Sequence, residues 1–299
     1  MHILVTGGTG FIGQHLVEAL LAQQHKVFIW CRNLNKARQL YGSSVELFTS
    51  LDDIDSHISA VINLAGEPII GKSWSPKRKQ QLMASRIHTT RAVVQWLKAR
   101  KDKPHTLISG SAIGYYGNYP EATDLDESTA ARDCFPSQLC RLWEAEAQAA
   151  AAEGVRVCTV RTGVVLNKDQ GALKKMWLPF SMGFGGDVGT GDQWLSWIHY
   201  EDMMYLLLFL LHHDELSGPI NATAPQPVRY KEFTRTLARA LKRPHLLPMP
   251  AWLLNNIFGE SAQLLLEGQK VVPKKLLDAG FRFTFCDINS ALNFEAGRV

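Results

Sequence analysis

The feature that most constrains the fold is a glycine-rich segment close to the N-terminus. A short apolar run, residues 3–5, ends at Thr6, and Gly7-Gly8-Thr9-Gly10-Phe11-Ile12-Gly13 follows directly. This spacing fits G-x-G-x-x-G between a strand and a helix, the context of a dinucleotide-binding turn. A tight turn without a ligand is the alternative, but three glycines in register disfavour it. We expect a cofactor site formed by Gly7, Thr9, Gly10, Phe11, Ile12 and Gly13.

Short β-branched runs alternate with helical stretches through the first two-thirds of the chain. Residues 26–31, 60–64, 106–109 and 156–160 are typical of buried strands, and residues 14–24, 76–99 and 137–153 of helices. Repeated β-α-β order predicts an α/β fold, a Rossmann-type doubly wound parallel sheet. From about residue 165 Pro, Gly and Trp interrupt the pattern. We therefore predict a nucleotide-binding domain at 1–165, with sheet segments up to about 225, and a smaller, mainly helical substrate-side domain at 166–299.

Composition excludes several classes of protein. The 299 residues are 46% apolar and 20% charged, and the net charge of +4 is spread along the chain, so we expect no nucleic-acid partner. The five cysteines form no C-x-x-C pair, which argues against a zinc site or a disulfide framework, and we expect no metal. The longest apolar run has nine residues, where a membrane span needs about 20. We expect a cytoplasmic protein without a membrane partner.

The end of the second predicted strand indicates which dinucleotide binds. An acidic residue about 20 positions beyond the glycine motif would bind the ribose 2′-hydroxyl of NAD, whereas an arginine there suits the 2′-phosphate of NADP. Arg32 lies 19 residues after Gly13, and no Asp or Glu occurs between Glu18 and Glu46. Arg32 could also be an ordinary solvated residue at a strand end. The pattern favours NADP(H) over NAD(H).

Further motifs extend nearly to the C-terminus. They are Val61-Ile62-Asn63-Leu64-Ala65-Gly66-Glu67, Ser85-Arg86, Ser109-Gly110-Ser111-Ala112-Ile113-Gly114-Tyr115-Tyr116-Gly117, Arg161-Thr162-Gly163-Val164-Val165-Leu166, Trp197-Ile198-His199-Tyr200-Glu201-Asp202 and Leu265-Leu266-Glu267-Gly268-Gln269-Lys270-Val271. With these residues the chain resembles the extended short-chain dehydrogenase/reductases, the superfamily of nucleotide-sugar epimerases. More narrowly, it resembles the branch labelled "epimerase family protein", which carries a small C-terminal domain of unknown function.

The resemblance implies additional cofactor contacts. In such proteins the Asn-Leu-Ala-Gly turn passes the adenosine ribose and the pyrophosphate, and the Arg-Thr-Gly-Val segment passes the nicotinamide. Arg86 would approach from a helix, or alternatively cap or pair with a helix face. The residues implied in this way are Leu64, Ala65, Gly66, Arg86, Ser109, Thr162 and Val164.

The usual catalytic pair of this superfamily is missing. Its chemistry rests on Ser or Thr with a Tyr and a Lys four positions apart, where the cation lowers the pKa of the phenol. No tyrosine of this chain has a lysine four positions later. Ser111 stands at the end of the fifth predicted strand, where the superfamily has its serine. Tyr115 and Tyr116 follow in sequence and are candidate proton donors. Alternatively, Ser111 is an ordinary turn hydroxyl, and the two tyrosines only pack against their neighbours. On the helix where the Tyr–Lys pair is expected, the reactive groups are Cys140, Arg141 and Glu144.

Two functions follow from these patterns. The first is an NADP(H)-dependent oxidoreductase or nucleotide-sugar epimerase, which transfers hydride without the usual Tyr–Lys pair. The second is a non-catalytic NADP(H)-binding redox sensor or scaffold. The Trp- and Gly-rich segment 174–197, with Lys174, Lys175 and His199 nearby, would suit a flat or anionic small-molecule substrate such as a nucleotide-linked one. Trp194 and Trp197 could instead anchor the junction between domains. The sequence leaves the oligomeric state open.

Overall fold

A computed structural model describes residues 1–298. Its strands are β1 (His2–Thr6), β2 (Lys26–Trp30), β3 (Glu46–Phe48), β4 (Ala60–Asn63), β5 (Thr106–Ala112), β6 (Arg156–Thr162), β7 (Val164–Asn167), β8 (Trp194–Leu195), β9 (Trp197–His199), β10 (Gly218–Ala222) and β11 (Val228–Arg229). Its α-helices are α1 (Phe11–Ala22), α2 (Leu34–Tyr41), α3 (Pro76–Ala99), α4 (Phe135–Gln148), α5 (Gly171–Ser181), α6 (Tyr200–His212), α7 (Tyr230–Ala240), α8 (Ala251–Phe258), α9 (Gln263–Leu266), α10 (Lys274–Asp278) and α11 (Ile288–Glu295). Short 3₁₀ turns occur at Ile113–Tyr116, Ala151–Glu153 and Gly259–Ala262.

The centre of the molecule is a parallel sheet. Within residues 1–298 it has seven strands in the order β10-β6-β5-β4-β1-β2-β3, and every neighbouring pair is parallel. Ile3, Leu4 and Val5 of β1 are all fully buried, as expected for a strand covered on both faces. Because all strands run the same way, their carboxyl ends meet at one edge, where open α/β sheets bind ligands.

Helices cover both faces of the sheet, so the predicted fold class is confirmed. On one face α1 and α6 pack around Leu16, Leu20 and Leu207, and on the other α3 and α4 cover a second apolar cluster. The helix α3 begins where the sequence predicts, because Ser75 caps it by accepting a hydrogen bond from the Arg78 backbone N–H at 3.2 Å. Among residues 1–298, every helix is too short or too polar to cross a bilayer.

The chain after residue 165 contributes one strand to the central sheet and forms a separate, mainly helical region. Residue 165 itself lies in β7, and β10 returns to the sheet beside β6, whereas most of the later helices surround a separate apolar cluster. Asp202 accepts hydrogen bonds from the backbone N–H groups of Thr284 and Phe285 at 2.7 and 2.9 Å. His199 lies 2.9 Å from Glu295. His199 and Asp202 therefore anchor the C-terminal region to α6.

Candidate functional site

A cleft of about 560 Å³ lies along the carboxyl edge of the sheet. Its walls come from the glycine-rich turn, the ends of β4, β5 and β6, the helices α3 and α4, and the C-terminal segment 263–269. The structure thus brings most of the sequence-predicted site residues into one cavity. Those that line it are Gly7, Gly10, Phe11, Ile12, Gly13, Leu64, Gly66, Arg86, Ser111, Thr162 and Val164. Thr9, Arg32, Ala65, Ser109, Tyr115 and Tyr116 lie outside the lining.

The glycine-rich turn leaves no room for side chains. Gly7 has φ +71°, and a Cβ there would lie 2.7 Å from the Leu64 carbonyl carbon. A Cβ on Gly13 would lie 2.2 Å from the Gly7 oxygen. Among the described residues no side chain caps α1, so the first N–H groups of this helix face the cleft without a partner. The turn therefore fits an anionic pyrophosphate, held by backbone N–H groups at a helix N-terminus.

Two cations lie near this turn, Arg32 just after β2 and Lys36 on α2. The Arg32 side chain is 91% exposed, and its Nη2 lies 3.3 Å from Oε1 of Glu67, which lines the cleft. The hydrogen bond from Arg32 is the main reason why the pKa of Glu67 is lowered. Lys36, on the first turn of α2, donates to the Thr9 carbonyl oxygen at 2.9 Å. Lys36 thus contacts the glycine-rich turn directly, and Arg32 lies beside Glu67 in the cleft wall. Sequence reasoning missed Lys36, although it lies four residues after Arg32.

A buried polar network holds the strand ends in register. The Thr6 hydroxyl donates to Asn63 Oδ1 at 2.6 Å, and the Asn63 amide donates to Thr90 at 2.7 Å and to Ser109 at 3.2 Å. The Ala65 backbone N–H donates to the Thr6 hydroxyl at 3.2 Å. Ser109 and Ala65 therefore lie behind the surface of the cleft and hold the ends of β1, β4 and β5 together.

Arg86 is held in the cleft wall by carbonyl groups. Its guanidinium donates to the Glu67 and Leu82 carbonyl oxygens at 2.9 and 3.1 Å and lies 5.2 Å from the ring centre of Trp143. Burial lowers the pKa of Arg86. It also packs against Gly66, where a Cβ would be 3.1 Å from its central carbon. Arg86 thus lines the cleft and fixes the Leu64–Glu67 turn, and its contact with a cofactor stays a prediction.

An ion-pair cluster occupies the place of the missing Tyr–Lys pair. The Ser111 hydroxyl, at the end of β5, donates to Glu144 Oε1 on α4 at 2.6 Å. Arg161 on β6 donates to both oxygens of Glu144, at 2.8 and 2.9 Å. The Arg161 side chain is 3% exposed and that of Glu144 is 14% exposed. Ser111 lines the cleft, so one hydroxyl group separates the Glu144 side chain from a ligand bound there.

The neighbouring candidates are less suited to chemistry. The 3₁₀ turn after β5 directs Tyr115 against the Arg161 guanidinium, 3.4 Å from the ring centre. Tyr116 is fully buried, with its hydroxyl 2.7 Å from Asn221 Oδ1 and 3.1 Å from Arg161 Nη1. Burial raises the pKa of Tyr116 to about 12. Both tyrosines thus support Arg161 rather than face the cleft. Burial also raises the pKa of Cys140 to about 12, so this thiol stays neutral.

The Trp- and Gly-rich segment 174–197 contributes fewer side chains to the cleft than its composition indicates. Trp194 lines the cleft but is packed under Arg229, 3.8 Å from its ring centre, and donates to the Glu121 carbonyl. Trp197 is fully buried. Lys175 is exposed, and its ammonium would lie 3.4 Å from a Cβ on Gly71. This segment thus forms the junction between the sheet and the later helices.

Comparison with known proteins agrees with this geometry. Residues 3–222 match the family model "NAD dependent epimerase/dehydratase family", which covers more than half of the chain. The chain belongs to this family. Residues 249–294 match a second model, a domain of unknown function named DUF1731, which includes the segment 263–269 that closes the cleft. The family resemblance predicted from the motifs is confirmed.

The relatives match along nearly the whole chain. Epimerase family protein YfhF of Bacillus subtilis is 42% identical over 98% of this chain and 97% of its own. The crystal structure of human epimerase family protein SDR39U1 (isoform2) with NADPH has a TM-score of 0.90 and 32% identity, with 100% of each chain covered. A UDP-glucose 4-epimerase from Thermotoga maritima has a TM-score of 0.78 at 14% identity, a likeness of fold alone.

Proposed function

We propose that this protein binds NADP(H) and transfers hydride between the nicotinamide and a carbonyl or alcohol group of a small-molecule substrate. The observation that carries the proposal is the Ser111–Glu144–Arg161 cluster, which opens into the same cleft as the glycine-rich turn. The human relative solved with NADPH supports the choice of cofactor. In the chain itself, Arg32 and Lys36 beside the turn supply charge for a 2′-phosphate.

The residues that hold the cofactor follow from the shape of the cleft. The N-terminus of α1 and the glycine-rich turn would take the pyrophosphate, and Leu64 and Gly66 would line the adenosine side. Thr162, at the end of β6, and Val164, at the start of β7, would line the nicotinamide side. Thr162 pairs with Ala112, the residue after Ser111, in the register of β5 and β6. When bound, the nicotinamide accepts or donates the hydride.

The cluster can handle the proton that accompanies the hydride. The proton of the Ser111 hydroxyl points to Glu144, so a Ser111 lone pair can accept a hydrogen bond from a substrate hydroxyl. When the substrate alcohol is oxidised, its O–H proton moves to Ser111, and the Ser111 proton moves to Glu144. In carbonyl reduction the same protons move in reverse: Glu144 gives a proton to Ser111, and Ser111 gives its own to the substrate oxygen. The partly exposed Glu144 then takes up a new proton from solvent. Arg161 fixes the orientation of the Glu144 carboxylate through two hydrogen bonds.

Turnover by purified protein tests the proposal. NADPH oxidation is followed with a panel of ketones, aldehydes and nucleotide sugars, and isomer interconversion is followed with the cofactor retained. Ser111→Ala and Glu144→Gln are expected to lower kcat by about 10²–10⁴-fold, the range of general acid–base catalysis. Their NADPH affinity should stay within about twofold, because neither residue belongs to the turn that holds the phosphates. Tyr115→Phe, which removes the other nearby hydroxyl, is expected to retain activity.

A non-catalytic sensor or scaffold is the second candidate, favoured by the absence of a lysine four positions after any tyrosine of the sequence. It predicts tight NADPH binding, no turnover of any panel member, and a partner interaction that depends on the cofactor. Hydride transfer that is lost in Ser111→Ala would reject this second candidate. NADPH binding with no turnover across the whole panel would reject the first.

A further inference from the structure

The substrate side of the cleft is mainly apolar. Beyond Ser111, its apolar wall is formed by Ile69, Pro136, Leu139, Trp143, Leu264 and Leu265. Asn118, Gln263 and Gln269 add polar but uncharged side chains to the lining. Leu139 on α4 packs in one cluster with Ile69 and Leu264, so three separate parts of the chain form a continuous wall. An apolar ligand surface that leaves water and packs against such a wall is stabilised in proportion to the area it buries.

Charge is scarce in this cavity. Among the described residues that line it, the charged side chains are those of Glu67, Arg86 and Glu267. Glu67 and Arg86 belong to the cofactor side, where Arg86 is occupied by carbonyl groups and Glu67 by Arg32. On the substrate side this leaves Glu267, a carboxylate. Lys175 lies outside the lining and is exposed to solvent, where its charge is screened.

The C-terminal segment supplies this side of the cavity. Leu264, Leu265 and Glu267 all lie within the region that matches the domain of unknown function. Hydrogen bonds fix the segment in place, from the Gln193 amide to the Leu265 carbonyl at 2.8 Å and from the Gln269 amide to the Ile113 carbonyl at 2.7 Å. The position of Glu267 is thus determined by the fold, although its side chain is exposed.

This distribution of charge selects a class of substrate. A nucleoside diphosphate sugar carries two negative charges, and placing them in an apolar cavity without a counter-charge is strongly unfavourable. Glu267 adds repulsion to any anion placed on this side of the cleft. We infer that the substrate of the proposed hydride transfer is an uncharged, mainly apolar carbonyl or alcohol compound, selected by the C-terminal segment, and not a nucleotide sugar. This inference rests on the proposed function.

Matched neutral and anionic ligands test the inference. The protein is saturated with NADP⁺, and the dissociation constants of 4-methylacetophenone, 4-acetylbenzoate and UDP-glucose are measured by calorimetry and by quenching of tryptophan fluorescence. The first two probes differ only in a methyl group against a carboxylate. The neutral ketone is expected to bind at least about tenfold more tightly than the carboxylate, a difference of about 1.4 kcal/mol. UDP-glucose is expected not to displace it.

One charge-neutralising substitution isolates the contribution of Glu267. In Glu267→Gln the preference for the neutral ketone should fall by about three- to tenfold, because the repelling carboxylate is gone while the size of the side chain is kept. Glu215→Gln, on an exposed loop outside the cleft, removes the same charge from the chain and is expected to change neither affinity.

The possible outcomes separate the inference from the proposed function. Binding of UDP-glucose or 4-acetylbenzoate as tight as that of the neutral ketone would overturn the substrate class. Failure of a series of neutral aromatic and aliphatic ketones to bind would overturn it as well. Selective binding of neutral ketones without NADPH oxidation would keep the substrate class and reject the hydride transfer. Turnover of UDP-glucose would keep the hydride transfer and reject the class.

Discussion

Removal of the Glu144 charge should destabilise the protein by several kcal/mol. Arg161 is 3% exposed, and Glu144 is its carboxylate partner through hydrogen bonds of 2.8 and 2.9 Å. Glu144→Gln keeps the size of the side chain but leaves the guanidinium buried without a counter-charge. Removing one partner of a buried ion pair costs about 3–5 kcal/mol, because the remaining charge is desolvated and uncompensated. We expect a loss of free energy of unfolding in this range.

A double-mutant cycle separates the ion pair from the other contacts of Arg161. Arg161→Met also removes hydrogen bonds to the Tyr116 hydroxyl and the Glu127 carbonyl, at 3.1 and 3.3 Å. The double variant with Glu144→Gln leaves no orphaned charge. Its loss of stability should therefore be smaller than the sum of the two single losses by about 2–3 kcal/mol.

Urea denaturation at neutral pH measures these free energies, with Glu121→Gln as the matched control. Glu121 forms a similar two-point pair with Arg132, at 3.1 and 3.2 Å, but both side chains are about half exposed. A surface pair of this kind contributes about 0–1 kcal/mol and weakens in salt, whereas the Arg161–Glu144 pair should be insensitive to salt. If Glu144→Gln costs no more than Glu121→Gln, or if the two single losses simply add, the reasoning is refuted.

Three further predictions concern cofactor choice, the turn and pH. Arg32→Ala and Lys36→Ala should each weaken NADPH binding by about tenfold while NADH affinity is kept, as measured by fluorescence titration, and equal losses for both nucleotides would exclude a 2′-phosphate contact. Gly13→Ala should abolish NADPH binding, since its Cβ would lie 2.2 Å from a carbonyl oxygen, whereas Gly154→Ala, with φ +77° in open space, should cost only about 1 kcal/mol of stability and leave binding intact. Burial raises the pKa of Glu127 from its ordinary 4.5, so the folded state favours the neutral acid, and its contribution to stability is lost as the pH rises through the raised pKa. In Glu127→Gln, urea denaturation from pH 4 upward should show a smaller decline in stability than in the parent protein, and an unchanged decline would reject the role of Glu127.

The sequence predicts the fold well because the fold depends on local patterns. The run 3–5, the glycines that follow, and the alternation of β-branched and helical stretches specify a parallel sheet and the edge where ligands bind. The helix α3 lies where the sequence predicts it because a serine cap and a proline mark its first residue. The short strand β3 was not predicted, because three residues are too few to show a periodic pattern.

The contacts around Ser111 could not be predicted in the same way, because they join distant elements of the fold. Glu144 and Arg161 are 17 positions apart on a helix and a strand, and their pairing depends on how α4 lies over β6. The Gln269 amide reaches Ile113 across 156 positions, which no local pattern shows. Tyr115 and Tyr116 follow Ser111 in sequence. Both lie within the 3₁₀ turn Ile113–Tyr116, which directs their rings to Arg161 instead of the cleft.

Isotope transfer tests the central claim most directly. The protein is incubated with NADPH that carries deuterium at C4 of the nicotinamide, prepared as both stereoisomers, and with a neutral ketone that binds to it. Mass spectrometry of the product alcohol then shows whether deuterium has reached its carbinol carbon. The account predicts one deuterium per alcohol from one of the two stereoisomers, lost in Ser111→Ala while NADPH stays bound. Recovery of the ketone without any deuterated alcohol, across the whole neutral series, would contradict it.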